Sequence, residues 1–169
     1  MSGWSARFAR AGWAGPGLIL LALVMEATAL YYQYRLEYWP CVLCIHVRVW
    51  LLGLMAAGLL VWLTRRRGYA LGAAWLLVGV VGAGLLDRSG RLLGTERGWI
   101  EGSCAMESGL PDWFALDRWF PGLFQVMEPC GYTPELLFGI TMAEALVAFS
   151  VLLILLALAG LKGSFVRPA

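Results

Sequence analysis

Four long apolar segments, separated by more polar stretches, dominate the hydropathy pattern of this chain. They cover about residues 15–34, 44–64, 69–86 and 138–161. A helix needs roughly 20 apolar residues to cross the hydrocarbon core of a bilayer, and each segment approaches or reaches that length. The chain shows no internal repeat and no low-complexity region. The pattern predicts a single integral membrane domain, an all-α four-helix transmembrane bundle with loops over about residues 35–43 and 87–137.

Composition also indicates a membrane protein. Of the 169 residues, 60% are hydrophobic and 14% are charged, whereas a soluble domain carries about 25% charged residues. The net charge of +2 is too small to indicate a nucleic-acid partner.

The first apolar segment follows Arg7 and Arg10, as the core of a signal peptide follows its basic residues. It is longer than such a core, and no small-residue cleavage site comes after it. Aromatic residues stand at its end and just beyond it, which is typical of a membrane interface: Tyr31, Tyr32, Tyr34, Tyr38 and Trp39. We therefore expect this segment to be retained as the first spanning helix.

The charges that flank the segments predict the orientation. Seven basic residues and no acid lie in the two terminal tails and the loop after the second segment: Arg7, Arg10, Arg65, Arg66, Arg67, Lys162 and Arg167. The other two loops hold nine acids. Because excess Lys and Arg stay in the cytoplasm, both termini are predicted to be cytoplasmic. All four cysteines, Cys41, Cys44, Cys104 and Cys130, then face the oxidising periplasm of a bacterium, or an ER lumen.

The second of these loops contains an aromatic stretch over residues 110–124. Leu110, Trp113, Phe120 and Leu123 have near-helical spacing and are expected to share one face. Prolines bound the stretch, which predicts a short helix lying in the membrane interface. The alternative is a hydrophobic plug packed on the bundle.

The strongest chemical motif is Pro40-Cys41-Val42-Leu43-Cys44, at the start of the second segment. Unpaired N–H groups at a helix N-terminus favour a thiolate, and Arg48 follows Cys44 by four residues on the same helix face. An arginine inside an apolar boundary requires a reason. Stabilising a thiolate beside an electron-rich acceptor is one reason, and snorkelling to the interface is another.

Two acids also fall within the apolar segments, Glu26 in the first and Glu144 in the fourth, both in the outer half. Intramembrane charges usually pair or line a functional cavity, so Glu26 and Arg48 are candidates for an ion pair beside a site. His46 is two residues from both Cys44 and Arg48, and a helix would point it elsewhere. We interpret it as an interfacial polar residue.

Three interpretations of the four cysteines remain open. They form two structural disulfides that join the outer loops, or a zinc site, or two redox pairs that relay electrons. A zinc site fits poorly because the two pairs are unlike in spacing, so no metal is expected. The chain has no Gly-rich phosphate loop and no haem-attachment motif. An electron acceptor would therefore be lipid-soluble, and a quinone fits.

The chain closely resembles the bacterial disulfide-bond formation protein B family, DsbB. The resemblance covers nearly the whole chain and rests on the four spans, the motif from Pro40 to Cys44 with Arg48, and Glu26 in the first helix. It also rests on the loop with Cys104 and Cys130, whose segment from Leu110 to Trp119 is similar to the family's membrane-associated segment.

The resemblance implies a disulfide-generating oxidase of the bacterial inner membrane. Its partner is expected to be a periplasmic DsbA-like thiol oxidase, whose attack on a Cys104–Cys130 disulfide forms a mixed disulfide through Cys104. Cys130 then attacks Cys41 and frees Cys44, and Cys44 with Arg48 passes electrons to ubiquinone or menaquinone. DsbA is a strong oxidant, at about −120 mV, so only a stronger acceptor such as a respiratory quinone reoxidises it.

Two departures from the family pattern concern the quinone contacts. Val47 stands where other members carry a glutamate, and Arg91 stands near the place of a histidine. Arg91 is a candidate donor to the quinone or a simple loop charge. A vitamin K epoxide reductase-like enzyme is the alternative, but its redox pair follows its loop pair in sequence, the reverse of the order here. A membrane scaffold with inert disulfides is the non-enzymatic alternative.

Overall fold

Four long helices form the body of the protein in a computed structural model that describes residues 2–101, 107–137 and 139–166. A short helix α1 (Ser2–Ala9) precedes them. The long helices are α2 (Ala14–Arg35), α3 (Val42–Thr64), α4 (Gly68–Glu96) and α7 (Met142–Phe165). All four are long and apolar enough to cross a membrane, which confirms the predicted all-α four-helix membrane bundle.

The helices pack in a row rather than in a closed ring. Helix α2 lies against α3, α3 against α4, and α4 against α7, while α1 packs on α7. Residues of all four long helices contribute to the main hydrophobic core, including Leu18, Leu54, Trp75 and Leu153. The sequence analysis did not predict α1 or its packing on α7. The helix has only eight residues, and Arg7 and Arg10 lie in or next to it, so its hydropathy does not indicate a membrane span.

Helices α2 and α3 approach closely at two glycines. A Cβ atom on Gly15 would lie 2.5 Å from the Gly58 carbonyl oxygen and 2.6 Å from Trp62 Cβ. Small residues let helix backbones come together in membranes, where packing rather than the hydrophobic effect joins helices. This contact sets the spacing between the two helices that carry Glu26 and Arg48.

Gly15→Ala is expected to lower the free energy of unfolding by about 1–3 kcal/mol, because the added methyl group overlaps the α3 backbone. Gly17→Ala is the matched control in the same helix. A Cβ there meets only Trp13 Cε3, at 3.8 Å, so alanine is expected to be neutral or stabilising. Thermal unfolding in detergent measures both, and equal stability of the two variants would contradict the close contact.

Helix α4 continues ten residues beyond the predicted end of its apolar segment, to Glu96. Its last three turns are amphipathic: Ser89 and Leu92 are buried, whereas Arg91 is exposed. The hydropathy pattern predicted that this helix ends at Leu86, because the exposed face of the residues that follow is charged. The extension brings Leu92 into a second hydrophobic cluster with Cys41, Cys130 and Ala143.

The start of the last helix also differs from the prediction. Residues Glu135–Leu137 (β1) and Ile140–Thr141 (β2) form a small antiparallel hairpin, and α7 begins only at Met142. Glu144 therefore lies in the first turn of α7, where it forms a capping box with Thr141 and an ion pair with Arg97. The sequence placed Glu144 in the outer half of the fourth span, and the structure places it at the outer end of that helix, which is long and apolar enough to span a membrane.

The aromatic stretch of the outer loop is not one helix. A 3₁₀ turn (Asp112–Phe114) and two single-turn helices, α5 (Leu116–Trp119) and α6 (Pro121–Phe124), succeed one another. Non-helical backbone at Ala115 and Phe120 separates them. The prediction of one continuous helix was therefore wrong. Leu116 and Phe124 are buried, whereas Trp113, Phe120 and Leu123 of the predicted common face are all exposed.

Candidate functional site

Cys41 forms the N-cap of α3 and brings its sulfur next to Cys44. Its backbone is extended, its Sγ accepts a hydrogen bond from the Cys44 N–H at 3.4 Å, and its carbonyl accepts from Ile45. The two sulfur atoms lie 2.8 Å apart. The helix that was predicted to start near Cys44 begins at Val42, so both cysteines belong to its first turn and cap. The pair occupies the end of α3 where free N–H groups favour negative charge.

Cys130 reaches the same place from the outer loop. It is buried, and its thiol contacts the Cys41 sulfur and the backbone N–H groups of Leu43 and Val42. A backbone hydrogen bond of 3.0 Å from Met127 N to the Pro40 carbonyl joins the two chain segments. Contact with Cys41, and then burial, raise the pKa of the Cys130 thiol above its ordinary value. Cys104 lies outside the described residues.

Arg48 lies one turn further along α3 and is 4% exposed. Its Nη1 donates a hydrogen bond of 2.6 Å to the carbonyl oxygen of Leu123 in the outer loop. The charges of Glu26 and Cys44 both act on the guanidinium. The Glu26 Oε1 atom is buried and has no hydrogen-bond partner among the described residues. Arg48 therefore lies near Cys44 and Glu26 and is bonded to the outer loop. Both predicted reasons for an arginine here, stabilising a thiolate and snorkelling to the interface, stay predictions.

A cavity of about 270 Å³ opens beside these groups, between the outer ends of α2, α3 and α7. Cys44, Val47, Arg48 and Leu51 supply its α3 wall, and Met142 and Leu146 face them from α7. Aromatic rings of Tyr32, Tyr38 and Tyr132 stand near its outer rim. A mostly apolar cavity with one thiol and one guanidinium suits a flat, lipid-soluble ring with polar oxygens.

Arg91 is placed differently. Its side chain is 60% exposed and donates to Asp87 one turn back on α4. The residues described around the cavity do not include it. Its role as a quinone ligand stays a prediction, and in this arrangement it requires Arg91 to leave Asp87.

The amino-acid sequence is similar to those of known proteins over most of its length. The family model described as "Disulfide bond formation protein DsbB" matches residues 12–160. A disulfide bond formation protein B from Shewanella loihica is 35% identical over 152 residues, covering 89% of each chain. One from Shewanella amazonensis is 37% identical over 141 residues, covering 81% of this chain and 82% of that protein. Disulfide bond formation protein B 2 of Pseudomonas aeruginosa is 35% identical over 130 residues, covering 76% and 77%.

The chain belongs to the DsbB family. The resemblance stated from its motifs is therefore confirmed. Its four long helices show that it is a multi-pass membrane protein. Because it belongs to the DsbB family, it is a membrane thiol oxidase that forms disulfide bonds.

Several attachments of the outer loop in this DsbB-family chain escaped the sequence analysis. Gln33 is buried and its side-chain amide donates to the Gly122 carbonyl at 3.2 Å, and the Tyr34 hydroxyl donates to the same oxygen. His46 Nε2 lies 2.8 Å from the Ser108 carbonyl oxygen. The position of Gln33, a polar residue at the end of an apolar segment, could have indicated a buried hydrogen bond. The acceptor could not have been predicted, because the sequence does not show which backbone carbonyl a side chain binds.

Glu96 holds the segment that follows Cys130. Its Oε2 accepts hydrogen bonds from Thr133 Oγ1 at 2.6 Å and from Thr141 Oγ1 at 3.2 Å. Thr133 is 3% exposed and only three residues from Cys130. The carboxylate at the end of α4 thus fixes where the loop returns to α7, which helps to keep Cys130 against Cys41.

Thr133→Val is expected to lower the free energy of unfolding by about 1–2 kcal/mol, because it removes a hydrogen bond to a charged acceptor without changing side-chain shape. Thr95→Val is the control, since the Thr95 hydroxyl bonds only its own helix at Arg91. Thermal unfolding of both variants measures the difference. A Thr133→Val protein as stable as the control would show that Glu96 does not hold this segment.

Within the described residues, which exclude Cys104, no group of three or more His, Cys, Asp or Glu side chains is arranged to hold a metal ion.

Proposed function

We propose that this protein reoxidises a periplasmic DsbA-like dithiol protein and passes the electrons to a membrane quinone, ubiquinone or menaquinone. One observation carries the proposal. The Cys41 sulfur lies against two other sulfurs, Cys44 on one side and Cys130 on the other. A sulfur with two such neighbours can exchange a disulfide between the loop cysteines and the helix cysteines.

The first steps are thiol–disulfide exchanges. A thiolate of the reduced partner attacks Cys104 of a Cys104–Cys130 disulfide, forming a partner–Cys104 bond and releasing Cys130 as a thiolate. Release as a thiolate matters because the thiolate, and not the thiol, is the nucleophile of the next exchange. The Cys130 thiolate attacks Cys41 of the Cys41–Cys44 disulfide, and Cys44 leaves as a thiolate.

The later steps return the protein to its starting state. The second thiol of the partner attacks the mixed disulfide, which leaves the partner oxidised and frees Cys104. Cys104 then attacks Cys130, the loop disulfide reforms and Cys41 is released beside Cys44. Oxidation of this dithiol by quinone restores the Cys41–Cys44 disulfide. In total, two electrons and two protons pass from the partner dithiol to the quinone.

The cavity beside Cys44 fits the acceptor. Cys44 lies on its wall as the electron donor, and Arg48 offers N–H donors and a positive charge to an electron-rich ring. Glu26 interacts with Arg48 and is proposed to hold the guanidinium toward the cavity. Arg91 is proposed only as an additional donor that would first have to break its pair with Asp87.

We further propose that the protein lies in the bacterial inner membrane with both termini in the cytoplasm. The excess of basic residues in the sequence of the terminal tails and of the loop after α3, and the nine acids of the other two loops, support this orientation. It places the three described cysteines and the exposed aromatic rings of the outer loop on the periplasmic side, where a soluble partner can reach them.

Quinone reduction by the purified full chain tests the proposal. Reduced thioredoxin-fold dithiol protein and a ubiquinone or menaquinone analogue are added in detergent, and quinone ultraviolet absorbance is followed. We expect absorbance to fall in step with oxidation of the dithiol, and Cys130→Ala to stop it. Absence of reduction with both quinones, in protein whose cysteines are shown to be oxidised, would leave a scaffold with inert disulfides as the better account.

A further inference from the structure

A second cavity, of about 370 Å³, lies at the end of the bundle opposite the cysteines. Its walls come from α1, the start of α2, α4 and α7, and include Phe8, Trp13, Leu18, Trp75 and Leu156. The lining is almost wholly apolar, and the volume is within the range of about 300–1,000 Å³ that is usual for ligand sites. The redox chemistry makes no use of it.

The inner wall of this cavity is rigidly packed. Trp75 is 1% exposed, its Nε1 donates to the Ala9 carbonyl at 3.3 Å, and its ring packs on Phe8 with centroids 5.4 Å apart. Helix α1 lies so close to α7 that a Cβ on Gly163 would overlap the Ser5 carbonyl oxygen. The cavity therefore does not depend on a loose terminal helix.

The outer side of the cavity is open. Trp13 is 66% exposed and Leu20 is 63% exposed. In a membrane these side chains face lipid, and a chain entering between them would reach the buried ring of Trp75. A tryptophan at this depth is typical of the level of the lipid headgroups.

Two arginines lie near the turn that precedes Trp13, one of the lining residues, although neither arginine lines the cavity itself. Arg65 lies over the turn between α1 and α2, since a Cβ on Gly12 would be 2.7 Å from its Nη1. Arg10 donates from Nη2 to the Ser164 carbonyl at 3.0 Å, and its Nε is buried with no partner among the described residues. The sequence has no acid before Glu26 and none after Glu144, so no carboxylate from these terminal regions neutralises the arginines.

We propose that this cavity binds an anionic phospholipid, with one acyl chain against Trp13, Leu18 and Trp75 and the phosphate at Arg10 and Arg65. Basic pockets between spanning helices suit anionic headgroups, and each arginine near the membrane surface strengthens binding about fivefold. Snorkelling alone explains arginines at a membrane surface, but it does not explain a preformed apolar cavity near them.

The charge distribution selects this occupant over others. The polyprenyl tail of a quinone or a helix of a second copy fills the apolar cavity equally well. Neither brings an acceptor to Arg65 or to the buried Arg10 Nε, which has no partner among the described residues. A zwitterionic lipid brings its own cation into a cluster of positive charges. An anionic headgroup supplies acceptor oxygens and charge of the needed sign together. The proposal does not depend on the redox function.

Lipid retention by the purified full chain tests the site. The protein in detergent is mixed with phosphatidylglycerol or with phosphatidylcholine of the same acyl chains, and bound lipid is counted by native mass spectrometry. We expect one phosphatidylglycerol to be retained at least fivefold more than phosphatidylcholine. Arg10→Gln with Arg65→Gln is expected to remove that preference, whereas Arg66→Gln, an exposed arginine of the same loop, is expected to preserve it.

Gly17→Leu tests the apolar part independently. Gly17 lines the cavity, and a Cβ there meets only the Trp13 side chain, at 3.8 Å, so we expect leucine to fill the cavity without meeting backbone. We expect it to reduce retention of phosphatidylglycerol about fivefold or more while the arginines remain. Equal retention of both lipids, full retention in Gly17→Leu, the same loss in Arg66→Gln, or displacement by a long-tailed quinone but not by a short-tailed one would each overturn the proposal.

Discussion

Replacing Cys44 with alanine is expected to lower steady-state quinone reduction by roughly 10²-fold or more, because the only described thiol on the cavity wall is then lost. The fold is expected to survive. Cys44 is half-buried in the first turn of α3, and alanine is the best helix former. Quinone ultraviolet absorbance measures the rate, and thermal unfolding checks the bundle.

A single-turnover measurement sharpens this prediction. In Cys44→Ala, the loop disulfide is still able to oxidise one equivalent of partner dithiol, because Cys104 and Cys130 are unchanged. We therefore expect a burst of one oxidised partner per chain without quinone reduction. Cys44→Ser, which keeps the size but not the thiolate, is the matched control and is expected to behave in the same way. Quinone reduction at the wild-type rate in either variant would remove Cys44 from the electron path.

Replacing Arg48 with alanine is expected to have the second-largest effect, a loss of about 10²-fold in kcat/KM for quinone. The expected reason is that the cavity loses its positive charge and its N–H donors. The KM for the dithiol partner is expected to change less than about threefold. The same variant also leaves the Leu123 carbonyl without its donor and Glu26 without a buried counter-charge, which is expected to cost about 1–3 kcal/mol of stability.

Adding Glu26→Gln distinguishes the effect of Arg48→Ala on quinone reduction from its effect on stability. An amide at position 26 removes the uncompensated charge, so Arg48→Ala with Glu26→Gln is expected to recover stability but not quinone reduction. Arg48→Lys keeps the charge, loses the planar fork and is expected to be intermediate. Arg66→Ala is the matched surface control and is expected to have little effect, because Arg66 is exposed and is not among the residues that line the cavity. A wild-type quinone KM and turnover in Arg48→Ala would exclude the assigned role.

The parts of this fold that sequence predicts best are those with strong, repeated signals. The apolar segments located the four long helices because a run of about 20 apolar residues is the length that a membrane span requires and is rare in soluble domains. The spacing of Cys41, Cys44 and Arg48 placed them at one helix start, because four residues make about one turn. In both cases local sequence determines the geometry.

The ends of α4 and α7 could not be predicted in the same way. The end of α4 is amphipathic and is recognisable only once its partner, the cluster around Cys130, is known. The sequence placed Glu144 in the outer half of the span because its neighbours are apolar, and a capping box with Thr141 and a pair with Arg97 fix it in the first turn of the helix. The aromatic stretch of the outer loop was misread because backbone breaks at Ala115 and Phe120 have no periodic signature. Each miss involves a tertiary partner that hydropathy does not record.

Four hydrogen bonds between the outer loop and the bundle use main-chain atoms of the loop. Gln33 and Tyr34 bind the Gly122 carbonyl, Arg48 binds the Leu123 carbonyl, and the Met127 N–H binds the Pro40 carbonyl. Every residue except proline offers the same carbonyl and N–H, so these attachments do not depend on which side chains the loop carries. We therefore expect that the exposed rings of Trp113, Trp119 and Phe120 can be exchanged while Cys130 stays in register with Cys41. Under the proposed function, a change of soluble partner would then require new surface rings but no rebuilding of the cysteine arrangement.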